Sequence, residues 1–276
     1  MAVKEKKVSG KTANAMTVWE QKFSGYAKES AEQVKNVGGG TSVKFGRGEI
    51  LVGGLPVKDG ALECIVIGSC ALNTWYAEAY DPDNAQPPDC YAFALVQGDA
   101  EMAPHEDAAD KQSEQCADCP QNQFGTANIG RGKACGNNVR LGLILSSDVE
   151  SGNDAKSAEM ATARVSPTNV KHWASYVKML KEEHGRPPWA VVTEITSVND
   201  PKTQIKLGFK LVETIDDPDV LEVLEARYQK VQDVLQQPFG PPVERTTATK
   251  GRGRQAATTG KSSKFAAKGG KTAGRR

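Results

Sequence analysis

The stretch "ALECIVIGSCALNTWYAEAY", residues 61–80, decides the fold. Leu62, Cys64, Val66 and Gly68 alternate with polar or opposite-face neighbours, the period of two that marks a β-strand. A strand of this length has to bend, and Gly68 with Ser69 is the place where the backbone bends at least cost. Cys64 and Cys70 stand six apart, so a regular strand puts both on one face, where free cysteines behave as small buried hydrophobes.

Upstream, residues 42–53 carry short strand-like runs, and Met16, Trp19, Phe23, Tyr26 and Ala27 recur at helical spacing over 15–35 before "NVGGGTS" stops the helix. Residues 1–13 read as a flexible basic lead. Downstream, "DPDNAQPPD" (81–89) is a loop, a short strand follows around 90–96, and "VRLGLIL" (139–145) is a buried strand. "SSDVESGNDAKS" (146–157) reads as a flexible excursion. Ser166 before Pro167 opens a helix whose stripe of Val170, Trp173, Val177 and Leu180 ends at Gly185. "WAVVTEITSV" and "QIKLGFKLVE" are strands joined by the turn "NDPKT", with Ile205, Leu207, Phe209 and Leu211 facing one way. Asp217 and Pro218 open a last helix to about 236. The sum is an α+β fold, with one domain over 14–240.

Composition narrows the setting. Hydrophobic residues make up 38% of the chain, no apolar run approaches the roughly 20 residues that cross a bilayer, and the N-terminus lacks the apolar core of a secretory signal. A cytoplasmic protein is expected, with no membrane partner. Residues 245–276 hold ten Lys or Arg and no acid, leaving 25 bases against 34 acids elsewhere. That tail lacks the apolar side chains to bury a core, so 241–276 is expected to be disordered and to act as a polyanion-binding arm.

Residues 97–137 contain almost no apolar periodicity, long for a loop within a compact domain. Something other than a hydrophobic core must order them. Cys116 and Cys119 form a C-x-x-C pair and Cys135 follows at the separation of zinc-ribbon halves. Thiolates at this spacing hold a tetrahedral Zn2+ from a tight turn, and nearby glycines let the backbone wrap it. Cys90, at a strand start, is the preferred fourth ligand, with His105 as its rival. A zinc deaminase would pair H-x-E with P-C-x-x-C, whereas here Asp107 stands two after His105 and Gln115 precedes Cys116. A metal-dependent nuclease would want a carboxylate cluster, often with histidine; "HEDAAD" (105–110) is acidic, but none of the three histidines stands in a recognisable pairing, and no Ser-His-Asp elbow of a hydrolase occurs. The zinc is therefore expected to be structural.

From Phe124 to Arg140 the chain has Arg131, Lys133 and Arg140 but no acid, and Trp75, Tyr76, Tyr80, Tyr91 and Phe93 flank the cysteine loop. Aromatic rings on strands beside a positive groove stack single-stranded bases without reading their sequence.

"PPDC", "CADCPQNQFGTANIGRGKAC" and "VRLGLIL", spanning about 88–145, resemble a pattern in bacteriophage single-stranded DNA-binding proteins of the zinc-containing, OB-fold-like type. The resemblance implies an OB-like β-barrel with a zinc-binding insertion at about 88–138, zinc on Cys90, Cys116, Cys119 and Cys135, and a strand-lined groove for single-stranded DNA. It further implies phage replication or recombination proteins as partners; self-association on DNA is expected from the basic tail docking on the acidic body of another copy. Such proteins usually end in an acidic tail, and this one ends in a basic tail, which adds affinity by releasing counterions. A zinc-ribbon factor acting on duplex DNA or a polymerase is the alternative, and a metal-dependent nuclease or deaminase the second.

Overall fold

The computed structural model of the chain describes residues 41–78, 86–128 and 130–240. The basic lead 1–13, the helix expected at 15–35, Tyr80 and the tail 241–276 lie outside the described residues. Within them the fold is mixed α+β. Nine strands form one sheet: β1 (Ser42–Phe45), β2 (Ile50–Val52), β3 (Leu55–Pro56), β4 (Ala61–Trp75), β5 (Cys90–Ala94), β6 (Gly136–Leu145), β7 (Ala161–Val165), β8 (Val191–Asp200) and β9 (Gln204–Thr214). Their order is β3-β2-β1-β7-β6-β4-β8-β9, with β5 also paired to β4. Among the described residues only the β1–β7 ladder is parallel. Pairing runs as an open path among the described residues; closing it into a barrel would take a ladder between its two ends.

The expected long strand is β4, and it bends. Its register against β6 shifts between Val66 and Gly68, one residue ahead of the expected site. The bulge adds a residue and reverses which face the later side chains occupy. Before it, Cys64 and Val66 point into one core, Ile65 and Ile67 into the other. After it, Cys70 joins Ile67, not Cys64, and the Gly68 position turns toward the same core. Cys64 and Cys70 therefore lie on opposite faces, a correction that follows from the strand being irregular.

Both faces are covered, which is why so long a run of apolar residues is tolerated in one strand. On one side packs α2 (Val170–Met179), continued by a turn through His184 to Gly185 at φ 62°. Its stripe of Trp173, Tyr176 and Leu180 meets Cys64, Val66, Leu141, Leu143 and Leu207. The helix begins later than Pro167 suggests. Asn169 caps the junction and is tied sideways, donating to the Ile205 carbonyl at 3.0 Å and accepting from the Leu207 N–H at 2.9 Å. On the other face lies α3 (Pro218–Leu235), started by Asp217, whose carboxylate accepts from the N–H groups of Asp219 and Val220. Val220, Leu224, Val231 and Leu235 fill the core with Ile65, Ile67 and Ile144.

The excursion expected at 146–157 is ordered. It contains α1 (Gly152–Ser157), capped by Ser151, and Arg227 of α3 donates to the carbonyls of Ala155 and Ala158 at 2.6 and 2.8 Å. Strand β7 carries little sequence signal, since "ATARV" is half small and polar, yet it joins β1 to β6. The β8–β9 hairpin and the single apolar face of β9 are as expected, with Asp200 accepting from Lys202 and Thr203 in the turn.

No helix among the described residues is long and apolar enough to cross a membrane.

Candidate metal centre

Strand pairing delivers two of the four cysteines. Cys90 opens β5 opposite Trp75, and Cys135 immediately precedes β6, whose Gly136 pairs with Thr74. The two strands flank the end of β4, so both thiols arrive at one rim of the sheet. Between them, the described residues of 97–135 form no strand or long helix and are held by polar contacts. The Cys116 N–H donates to the Met102 carbonyl at 2.8 Å, Cys135 N–H to Gln121 at 2.8 Å, and Asn122 N–H to Cys119 at 3.0 Å. The apolar contribution is small: Met102 and Cys116 pack on Ala71 and Ala92.

Cys90, Cys116, Cys119 and Cys135 are all buried and reduced, and they line one cavity of about 10 Å3 with Trp75, Tyr91 and Gln112. That volume is near the lower limit for a single water. Among the described residues no group of three His, Cys, Asp or Glu stands at metal-ligating spacing as it is. The four thiols share a lining without converging on one point. Neutral thiols repel little and attract little; Zn–S bonds of about 2.3 Å form only with thiolates.

Their electrostatics fit a cation. Burial pushes the Cys135 thiol up to about 12, and the neighbouring Cys116, Cys119 and Cys90 add to the rise. Burial likewise raises Cys90 and Cys116; a Gln112 N–H to the first and an Asn73 side chain to the second oppose it, and thiolate neighbours reinforce it. Neighbouring thiolates thus raise the cost of ionising Cys90, Cys116 and Cys135. A divalent cation among them would reverse that sign.

His105 does not line the cavity. Its ring stacks on Tyr91 at 5.1 Å, its backbone N–H donates to the Tyr91 carbonyl at 2.8 Å, and Nδ1 accepts from the Asp107 N–H at 3.1 Å. It props the loop on β5, and Cys90 is the residue grouped with the other three thiols.

The basic and aromatic residues divide into two sets. Phe124 is 83% exposed, with the Lys133 ammonium 5.2 Å from its ring centroid and Arg131 exposed nearby in sequence. Phe124 and Lys133 border a groove of about 630 Å3 that also reaches Asn137, Gly98 and Thr168. Tyr76 is exposed too, its hydroxyl accepting from Arg164 at 3.1 Å.

The second set is turned inward. Tyr91 is 3% exposed, and half-buried Trp75 lines the thiol cavity. Phe93 stacks on Phe239 at 6.3 Å, and the Arg140 guanidinium lies 5.7 and 5.6 Å from those two rings. Arg140 Nη1 donates to the carbonyls of Leu235 and Gln237 at 3.0 and 3.1 Å, closing the C-terminus of α3. Burial lowers its pKa, opposed by nearby Cys70. Of the residues expected to face nucleic acid, Tyr91 is buried, whereas half-buried Phe93 and Arg140 pack against the exit of helix α3 through Phe239 and the Leu235 and Gln237 carbonyls.

Asn122 is the residue that sequence reasoning missed. Its amide donates to the Cys116 carbonyl at 2.7 Å, and its Oδ1 accepts from Lys133 Nζ at 3.1 Å and Asn137 Nδ2 at 3.0 Å. Asn137 in turn donates to Asn73 of β4 at 2.7 Å. One side chain thereby joins the cysteine turn, the surface cation and the sheet. The signal in sequence was only the run of amides in "PQNQ" and "GNN".

Compared with known proteins, the chain matches no family model, no curated protein and no solved structure.

Proposed function

We propose that this chain is a sequence-independent single-stranded DNA-binding protein, of the kind that serves bacteriophage replication and recombination, with a structural Zn2+ on Cys90, Cys116, Cys119 and Cys135. The observation that carries the reading is Phe124. A large ring 83% exposed, with a cation 5.2 Å from its face, gains nothing from folding and is suited to stacking an unpaired base beside its phosphate. Lys133 is held there through Asn122, and Asn122 through the backbone of Cys116. The zinc in this reading is scaffold: it would hold the turn that presents Phe124, Arg131 and Lys133, and no reaction is assigned to it.

An OB-like core belongs to the same proposal. Its support is a bulged strand whose two halves take different partners, β8 at 61–64 and β5 at 71–75, which is how small barrels turn a corner. The basic tail supports a polyanion as ligand through its charge. Action in the host cytoplasm alongside phage replication proteins follows from the resemblance in residues 88–145.

The test is competition binding of labelled oligo-dT against duplex of equal length, across salt. Preference for the single strand, with affinity falling steeply as salt rises, is expected. Equal or stronger binding to duplex would favour a factor that acts on double-stranded DNA and end this reading.

A further inference from the structure

Strand β4 has one edge that is not fully used. Along its other edge it pairs with β6 from Cys64 to Thr74, but on this side the pairing with β8 stops at Cys64 and that with β5 starts at Ala71. The β8 pairing ends at Thr193, where β8 is itself irregular between Val192 and Thr193, and the chain before it turns through Pro187 and Pro188, which donate no ladder hydrogen bond. The edge from Val66 to Ala71, which no strand pairs on this side and where the Gln232 amide donates to the Ser69 carbonyl at 3.2 Å, forms the floor of a cleft of about 860 Å3. One wall carries Lys178 of α2 and, just beyond it, Lys181; the other carries Trp189 and Tyr228, stacked at 6.1 Å with Tyr228 48% exposed. Lys178 is 72% exposed, in a loose pair with Glu182. Gln97 and Val170 border both this cleft and the groove beside Phe124. The two depressions are therefore neighbours with a shared rim.

We propose that the cleft is the second half of a single-strand track: an unpaired DNA strand leaving Phe124 and Lys133 crosses the rim at Gln97 and Val170. It then runs over the open β4 edge, with phosphates toward Lys178 and Lys181 and a base on Tyr228. This rests on the single-stranded DNA reading above and extends its footprint. The two lysines favour a polyanion over an added peptide strand, which would need only the backbone edge. An exposed aromatic pair on the opposite wall supplies the stacking platform that a single strand uses and a duplex does not.

The experiment measures oligo-dT of about 4 and about 16 nucleotides, lengths that bracket one OB-sized site, on the full chain. The variants are Tyr228→Ala, the double variant Lys178→Ala/Lys181→Ala, and Phe124→Ala. Tyr228→Ala is expected to weaken the long oligomer about tenfold and leave the short one unchanged, while Phe124→Ala weakens both. The lysine pair should lower the slope of log K against log salt by roughly 1.4, two phosphate contacts at about 0.7 each. If Phe124→Ala weakens binding and the other two variants match wild type at both lengths, the track is overturned and the single-strand reading stands. If wild type does not prefer single strands, both fall. Ultraviolet crosslinking of the unmodified protein to the long oligomer gives a readout independent of variant folding. Crosslinked peptides containing Trp189 or Tyr228 support the track; crosslinks confined to residues 116–138 overturn it.

Discussion

Gly68 and Gly142 face each other across the β4–β6 ladder, and Val231 of α3 lies over both. A methyl added at Gly68 would sit 2.5 Å from Val231 Cγ1; at Gly142 it would sit 3.2 Å from Val231 Cγ2 and from Leu235 Cδ2. Two glycines in register thus make a notch that lets the helix approach the sheet at its bulge.

Gly68→Ala is expected to destabilise the fold by about 1–3 kcal/mol through overpacking. Adding Val231→Ala should recover part of that loss, since it removes the colliding methyls. Urea denaturation of Gly68→Ala, Val231→Ala and the double variant checks this, and additive effects would refute the notch.

Arg140→Met should cost about 1–3 kcal/mol, because the Leu235 and Gln237 carbonyls lose their donor while the Phe93 and Phe239 rings keep an apolar neighbour. Arg140→Lys should restore little, an ammonium lacking the planar face that fits between rings. Single-strand affinity, measured well below the melting point, should stay within about twofold of wild type. A large affinity loss at unchanged stability would return Arg140 to the binding surface.

Phe124→Ala should do the reverse. Its exposure predicts a stability change within about 0.5 kcal/mol, and base stacking predicts a loss of binding of roughly 1–3 kcal/mol. Oligo-dT titration and thermal melting of the same preparation separate the two effects.

Alkaline stability follows from the two core thiols. Burial pushes Cys64 from 9.0 up to about 12, and Cys70 from 9.0 to about 11, the latter opposed by Arg140. The unfolded chain releases both protons near pH 9 while the folded chain keeps them, so their contribution is complete below pH 9. It is lost as pH climbs toward 11 and 12. Each thiol adds a slope of about 1.4 kcal/mol per pH unit in that window. Urea midpoints from pH 8 to 10.5 should fall, and Cys64→Ala should fall less steeply from its own lower start. Parallel curves for the two proteins would contradict this.

Metal content and loop order should be lost together. Protein prepared without added metal is expected to hold about one equivalent of Zn2+, and Cys135→Ser or strong chelation should release it. Residues 97–135 then become the first site of proteolysis, since Met102 and Cys116 are their main apolar anchors. Metal analysis beside limited proteolysis decides it; a metal-free protein whose loop resists protease would defeat the zinc assignment.

What the sequence by itself determined is local. Alternation wrote β4, β6, β8 and β9; Asp217-Pro218 and Gly185 marked helix ends; the silence of 97–137 marked a segment needing another source of order. Those signals depend on a residue and its near neighbours, so one chain suffices to read them. The tertiary structure alone decided which face each side chain took. A bulge between Val66 and Gly68 separated Cys64 from Cys70, and the exit of α3 packed on Arg140 and Phe93 from far along the chain. Charge and aromaticity look identical in sequence whether a guanidinium meets a phosphate or a helix carbonyl. Only the partner brought alongside by folding distinguishes the two.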